Sequence, residues 1–133
     1  MNLITATERE ARIGVRDNQI GLVKLAEETQ RLSNCHYLFI KLAEEGVFLH
    51  VKDIESDKKY ITDRLSSLNK SPVDTSGAGD SMLISSSLAL ISGASIWEAA
   101  YLGSLSSAIQ VSRLGNIPIT RSNLLELIRS QDK

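Results

Sequence analysis

The chain has 133 residues, 42% apolar and 23% charged, with 15 Lys and Arg against 16 Asp and Glu and a net charge of -1. That is the make-up of one globular domain with a core of its own. It excludes a nucleic-acid binder that relies on a general basic field, and no apolar run approaches the roughly 18–20 residues of a membrane span.

In chain order, Leu3-Ile4-Thr5 reads as the end of a strand, and the start carries no basic-then-apolar secretory pattern. Thr7 and Glu10 form a capping-box pair, which predicts a short helix through Ile13 with Gly14 as its stop. A second helix is predicted from Gln19 to Leu32. Its apolar stripe is Ile20, Val23, Leu25, Ala26 and Leu32, and Lys24, Glu27, Glu28 and Arg31 face water. The lone Cys35 has no disulfide partner within the chain, behaves as a small hydrophobe, and suits a reducing cytoplasm, the expected location. Tyr37-Leu38-Phe39-Ile40 is a short buried strand, Glu44-Glu45-Gly46 a turn, and Val47 to Val51 a second strand. The charged stretch from Lys52 to Lys59 predicts a solvated hairpin returning through Tyr60-Ile61-Thr62, and the chain from Ser66 to Pro72 is loop. Helices follow over Ser81–Ile91, Ile96–Ser112 and Asn123–Ser130. Ser95 and Ser122 serve as caps, and Gly93 and Gly115 as stops. With no repeat and no linker, the order of elements predicts an α/β layer architecture.

His36 and His50 have no Cys or carboxylate at ligand spacing, so zinc is not expected. Trp97 reads as a core or interface anchor, and the Leu and Ile of 124–128 as core packing.

One stretch suggests chemistry: Pro72-Val73-Asp74-Thr75-Ser76-Gly77-Ala78-Gly79-Asp80-Ser81. Small residues leading into a helix let backbone approach a ligand, and the first N–H groups of that helix make an anion site suited to phosphate. Asp80 stands where a carboxylate can accept a proton from a hydroxyl beside that anion, so the pair matches phosphoryl transfer to an alcohol. The bland reading is that Asp80 only stabilises the helix start and Gly-Ala-Gly is only a turn. No Gly-Lys-Ser/Thr follows, so this is not a Walker loop, and no Gly-x-Ser-x-Gly elbow occurs.

Asp74-Thr75-Ser76-Gly77-Ala78-Gly79-Asp80 resembles the Asp-Thr-x-Gly-Ala-Gly-Asp motif of the ribokinase-like (PfkB) carbohydrate kinases, and Ser107 to Gly115 resembles that family's penultimate helix and following loop. The Arg-Leu-Gly ending at 113–115 and the non-Gly residue at 43 are most similar to the heptose-phosphate kinases of lipopolysaccharide synthesis. The resemblance covers nearly the whole chain. It implies the C-terminal, nucleotide-binding part of a three-layer ribokinase-like fold, with residues 1–133 as part of one kinase domain. The sugar-binding and lid portion lies outside the chain. It further implies Asp80 as catalytic base and Gly77, Ala78 and Gly79 as the anion hole. ATP with Mg2+ is the implied cofactor, and a sugar or sugar phosphate the acceptor. Glu10 matches the Glu of the family's Asn-x-x-Glu motif that organises magnesium, with Thr7 in place of the Asn; capping is the competing reading. Asp74 and Ser76, with backbone near Gln110, Arg113 and Gly115, match a monovalent-cation site for K+, although Ile119 lacks the oxygen some relatives supply. Lys41, Leu42, Ala43 and Gly46 fall where relatives carry Thr-Leu-Gly-x-x-Gly beside the phosphates, so Gly46 and Lys41 are nucleotide candidates; an exposed strand-end lysine is the alternative for Lys41. Gly103 and Ser107 would lie near the adenine. The alternative function is a nucleotide- or partner-binding piece without catalysis of its own. An open sheet edge and an uncovered apolar face predict self-association into homo-oligomers, with no nucleic-acid or membrane partner.

Overall fold

A computed structural model of the chain describes residues 2–52, 60–69 and 71–131. The chain divides into two compact units, residues 1–66 and 67–133.

The first unit is a four-stranded sheet in the order β1 (Leu3–Thr7), β2 (Tyr37–Lys41), β3 (Val47–Lys52), β4 (Tyr60–Leu65). β1 and β2 run parallel, with Ile4 opposite Leu38 and Thr7 opposite Lys41, and the other neighbours are antiparallel. A parallel pair needs a crossover, which α1 (Glu8–Val15) and α2 (Leu22–Ser33) supply. Period-2 alternation sends Leu38, Ile40 and Phe48 to one face, where they bury with Ala11, Leu25, Ala26 and Cys35. The expected hairpin lies, from residue 53 to 59, outside the described residues; β4 extends to Leu65, beyond the expected Thr62.

Two boundaries differ from expectation for local reasons. α1 runs through Gly14 and ends at Arg16, which adopts the left-handed conformation at φ 61° and donates its N–H to the carbonyls of Arg12 and Ile13. α2 starts at Leu22 because the Asp17 carboxylate accepts the N–H groups of Gln19 (2.8 Å) and Ile20 (3.2 Å), holding 17–20 in a turn. Its buried stripe is Leu25, Ala26 and Gln30, and Val23 and Leu32 are exposed.

His50 on β3 is fully buried and stacks on Tyr60 with ring centroids 4.7 Å apart. Neither ring nitrogen has a hydrogen-bond partner among the described residues. Burial holds its pKa below the ordinary imidazole value, and the charge of Glu27 only partly opposes this. The folded state therefore prefers the neutral ring, and protonation favours unfolding. The stability tied to neutrality is present above the unfolded pKa of about 6.5 and is lost as pH falls from there through the lower folded value. Urea melts should show a falling midpoint between pH 7 and 5, and His50→Leu should flatten that slope. An unchanged slope in the variant would assign the titration elsewhere. The carboxylates held low, Glu10, Asp74 and Glu98, lose their contributions only at more acid pH.

The second unit is helical: α3 (Ala78–Ile91), α4 (Ile96–Val111) and α5 (Arg121–Gln131). α3 begins three residues before the expected Ser81, with Gly77 at its N-cap. α4 opens with the expected box: Ser95 accepts the Glu98 N–H at 3.3 Å, and the Glu98 carboxylate takes the Ser95 N–H at 2.8 Å. α5 is capped by Thr120 and not by Ser122, since Thr120 Oγ1 accepts the Asn123 N–H at 3.3 Å. α3 and α4 are apolar all round and meet through small residues. The Ser86 hydroxyl donates to the Ala99 carbonyl (2.9 Å) and that of Ser106 to Ser85 (2.6 Å). Ile84, Leu88 and Ile91 form an exposed row on α3. Among the described residues no helix is long and apolar enough to cross a membrane.

Candidate active site

In the second unit the glycine-rich segment becomes the uncapped start of α3. Gly77 sits at φ 75°, a left-handed conformation that favours glycine, and a Cβ there would lie 2.8 Å from Asn116 Oδ1. No side chain caps this helix. The Ala78 N–H turns back to the Thr75 carbonyl at 3.3 Å, so it is taken up within the loop. The N–H groups of Gly79 and Asp80 have no partner among the described residues, and the helix dipole adds positive potential at that end. Asp80 lies in this first turn with its carboxylate exposed and in no ion pair among the described residues. Two anion-facing donors beside an exposed carboxylate can hold an oxyanion and accept a proton next to it.

The segment is tied to the loop after α4. Asp74 Oδ1 accepts the Ser76 N–H at 2.9 Å, and Oδ2 accepts the Gly115 N–H at 3.0 Å. The Val111 carbonyl takes the N–H groups of Val73 (2.7 Å) and Asp74 (3.2 Å). Gln110, nearly fully buried, donates Nε2 to the Gly115 carbonyl at 3.3 Å. These donors, the Ser76 N–H first, hold the Asp74 carboxyl below the usual carboxylate range.

The same bonds bear on the expected monovalent cation. An ion shell needs oxygens turned toward a common point, and an oxygen that accepts one N–H keeps a lone pair for the ion. Both Asp74 oxygens and the Gly115 carbonyl already accept such donors. The Gln110 carbonyl accepts the Arg113 N–H at 3.4 Å, and Ile119 offers no side-chain oxygen. The Asp74 carboxylate and the Gln110 carbonyl thus retain acceptor capacity for an ion, to which the Ile119 side chain adds none. The Arg113 side chain turns instead to Asn123 Oδ1 at 3.4 Å.

On α4, Gly103 and Ser107 stand one turn apart, but only Ser107 is partly exposed. Gly103 is buried at the crossing with α3, where a Cβ would overlap the Ser86 hydroxyl and lie 3.1 Å from the Met82 carbonyl oxygen. Helix packing accounts for this glycine.

In the first unit, Thr7, Glu10 and Lys41 gather where parallel β1 and β2 end, the side of such sheets where ligands bind. Glu10 Oε2 accepts the Thr7 N–H at 2.7 Å, and Thr7 Oγ1 accepts the Glu10 N–H at 3.2 Å. The capping reading of Glu10 is thus realised. The Thr7 N–H, with a smaller effect from Lys41, lowers its pKa. Its Oε1 stays unused among the described residues. Past Lys41, a 3-10 turn over Ala43–Glu45 leads to Gly46 at φ 98°. Ala43 itself sits at φ 53°, so the backbone keeps a left-handed turn without a glycine there. Arg64 fixes the turn through the Glu45 carbonyl, at 3.2 Å from Nε and 3.0 Å from Nη2. Among the described residues no three His, Cys, Asp or Glu come together.

The roles of Asn116 against Gly77 and of Gln110 as a side-chain donor were missed from sequence; Asn116, directly after a glycine in a loop, was the available signal.

Comparison with known proteins gives this arrangement a context. Residues 1–122 match the family model described as pfkB family carbohydrate kinase. The chain is 28% identical over 132 residues to the bifunctional protein HldE of Campylobacter concisus, covering 96% of this chain and 26% of that protein. It superposes on the ribokinase of Thermotoga maritima with a TM-score of 0.82 at 26% identity, over 97% of this chain and 42% of that one. The adenosine kinase of Sinorhizobium meliloti gives a TM-score of 0.76 at 25% identity, over 98% and 36%. The chain therefore spans well under half the length of each of these relatives, and its fold is ribokinase-like α/β. By sequence and by structure, it belongs to the pfkB family of carbohydrate kinases.

Proposed function

We propose that this chain supplies the phosphate-holding side and the catalytic base of an ATP-dependent kinase acting on a hydroxyl of a sugar or sugar phosphate. The observation that carries the reading is the uncapped start of α3, with the free N–H groups of Gly79 and Asp80 beside the exposed Asp80 carboxylate. Asp80 accepts the proton of the attacking hydroxyl, and the two N–H groups hold oxygens of the transferred phosphoryl as charge develops on them. The Asp80 charge also excludes a second anion from its own position, which leaves that position to a neutral hydroxyl.

Magnesium carried by nucleotide phosphates needs only one or two protein carboxylates. Glu10, with Oε1 unused beside Lys41, is the residue that would hold it in the first unit. When bound, the ion neutralises phosphate charge. Within the first unit Lys41 offers a cation suited to phosphate, and of the turn ending at Gly46 only the Ala43 and Glu44 N–H groups have no partner among the described residues, those of Leu42, Glu45 and Gly46 being bonded within the turn. Within the second unit Ser107 offers a hydroxyl. K+, where bound, would be held by Asp74 and Ser76 with backbone carbonyls near Gln110, Arg113 and Gly115. The acceptor is left at the level of a sugar or sugar-phosphate hydroxyl, and the complete reaction belongs to a protein carrying the rest of the fold.

The test is nucleotide binding by the chain itself. Millimolar Mg-ATP should raise its melting temperature saturably, by mass action on the folded state, and Mg-AMP, lacking the outer phosphates, should do so far less. Equal shifts with the two nucleotides, or none with either, would sink the reading.

A further inference from the structure

The proposed kinase chemistry makes no use of His50, which sits on β3 with both ring nitrogens buried and neither partnered among the described residues. The register puts Leu38 of β2 and Thr62 of β4 opposite it. Its ring lies between two others: Phe48 of the same strand, 6.2 Å between centroids and 16° between planes, and Tyr60 of β4, 4.7 Å and 22°. From α2, the buried Gln30 amide donates to the carbonyls of His36 (2.9 Å) and His50 (3.3 Å), and its Oε1 has no partner among the described residues. These walls are unequal. Leu38 and Phe48 belong to the buried core, and Gln30 ties α2 to the sheet. Tyr60 is only half-buried, on an edge strand whose residues 61 to 64 are exposed. β4 is therefore the thinnest cover over the imidazole. Toward its other end the same strand carries Arg64, which donates Nε and Nη2 to the Glu45 carbonyl and so holds the turn over Ala43–Glu45.

We propose that His50 is an acid-sensitive latch on β4: protonation of the ring displaces Tyr60, opens β4 from β3, and releases the hold of Arg64 on the turn that ends at Gly46. A protonated imidazole presents two N–H donors. Gln30 Oε1 is the one buried side-chain acceptor of the first unit that lacks a partner among the described residues, so at least one donor must find water. Water reaches the ring at the smallest loss of structure through the exposed edge strand, because local opening there costs less than global unfolding. Few charged groups among the described residues face the ring. Glu27 of α2 favours the protonated form and offsets burial only in part. Lys52 of β3 and Arg64 of β4, on the same sheet face by register, oppose it, while β2 places only Leu38 and Ile40 there. Arg31, next to Gln30 on α2, is exposed. The latch lies within the first unit and stands on its geometry. Only its consequence, looser phosphate contacts in acid at the turn beside Lys41, rests on the function proposed above.

The test is residue-resolved amide exchange on the isotope-labelled chain between pH 7 and 5, each rate taken relative to that of an unstructured chain at the same pH. Protection of the β4 amides, and of Gly46, whose N–H bonds the Ala43 carbonyl at 3.1 Å, should fall by up to about tenfold for each pH unit below about 6.5, the mark of one proton taken up on opening. It should do so at a lower opening free energy than that of the amides from Leu38 to Ile40 in β2, which only global unfolding exposes. In His50→Leu and in His50→Gln, neutral throughout this range, β4 protection should stay level. Protection at β4 or at Gly46 that is flat with pH in the wild type, that falls equally in both variants, or that is lost only together with β2 would overturn the proposal. So would β4 amides with no protection at pH 7, since the latch would then be open from the start. The comparison of β4 with β2 in the wild type needs no variant to fold. Absence of Mg-ATP binding would count against the proposed function and leave the exchange result standing.

Discussion

Asp80→Asn, made in a complete enzyme carrying this chain, lowers kcat by about two to four orders of magnitude, the range for losing a positioned general base, and leaves the affinity for Mg-ATP nearly unchanged. The side chain keeps its size and its place in the first turn of α3, so the Gly79 and Asp80 N–H groups still point out of the helix end. Only proton acceptance is lost. Removing a negative charge next to bound phosphates can even tighten nucleotide binding slightly, which separates this effect from a general loss of structure. Asp80 lies exposed at a helix start, where its charge contributes only about 0.3–1 kcal/mol through the dipole, so the variant remains folded. Turnover within a few fold of wild type would remove Asp80 from the role of base and reduce it to a helix-start carboxylate. A matched loss of nucleotide affinity and kcat would instead point to an altered anion site.

What was legible in the sequence follows the range of the interaction. Both capping boxes, Thr7 with Glu10 and Ser95 with Glu98, were readable because each partner lies three residues from the other. The left-handed end of α1 at Arg16 was not, since Gly14 offered the more usual stop and the helix passed through it. The start of α2 depended on Asp17 reaching the N–H groups of 19 and 20, and the exposure of Val23 and Leu32 on what packs against the helix, which its own periodicity does not carry. For the site, the glycine-rich motif marked the start of α3 to within three residues. The Asp74–Gly115 bridge spans 41 positions, and no local pattern announces it. A motif inherited residue by residue carries the backbone shape, whereas the occupancy of each oxygen depends on partners that only the folded chain brings near.

α3 and α4 illustrate the same limit and lead to the second large effect. Both helices are apolar on every side, so hydrophobic periodicity does not show which face packs. The contact lies where side chains are mostly small: Ser86 and Ala89, with Met82, on one helix, and Ala99, Gly103 and Ser106 on the other, at spacings of three and four. On an exposed helix, Gly103→Ala would stabilise by about 0.8–1 kcal/mol through propensity alone. Here the added methyl would overlap the Ser86 hydroxyl, which is fully buried and donates to the Ala99 carbonyl, and would crowd the Met82 carbonyl oxygen at 3.1 Å. The hydroxyl can rotate only by giving up that bond, and the backbone oxygen cannot move without the helix. Overpacking costs about 1–3 kcal/mol, and an unsatisfied buried hydroxyl about 1–3 more. Set against the propensity gain, the net loss is about 1–5 kcal/mol, read as a lower urea midpoint at unchanged slope. Ser86→Ala removes the overlapping oxygen, so the double variant should recover part of the loss, giving a coupling that separate sites would not show. A Gly103→Ala chain as stable as wild type would mean that α3 and α4 meet less closely than described, and that Gly103 owes its place in α4 to something other than packing.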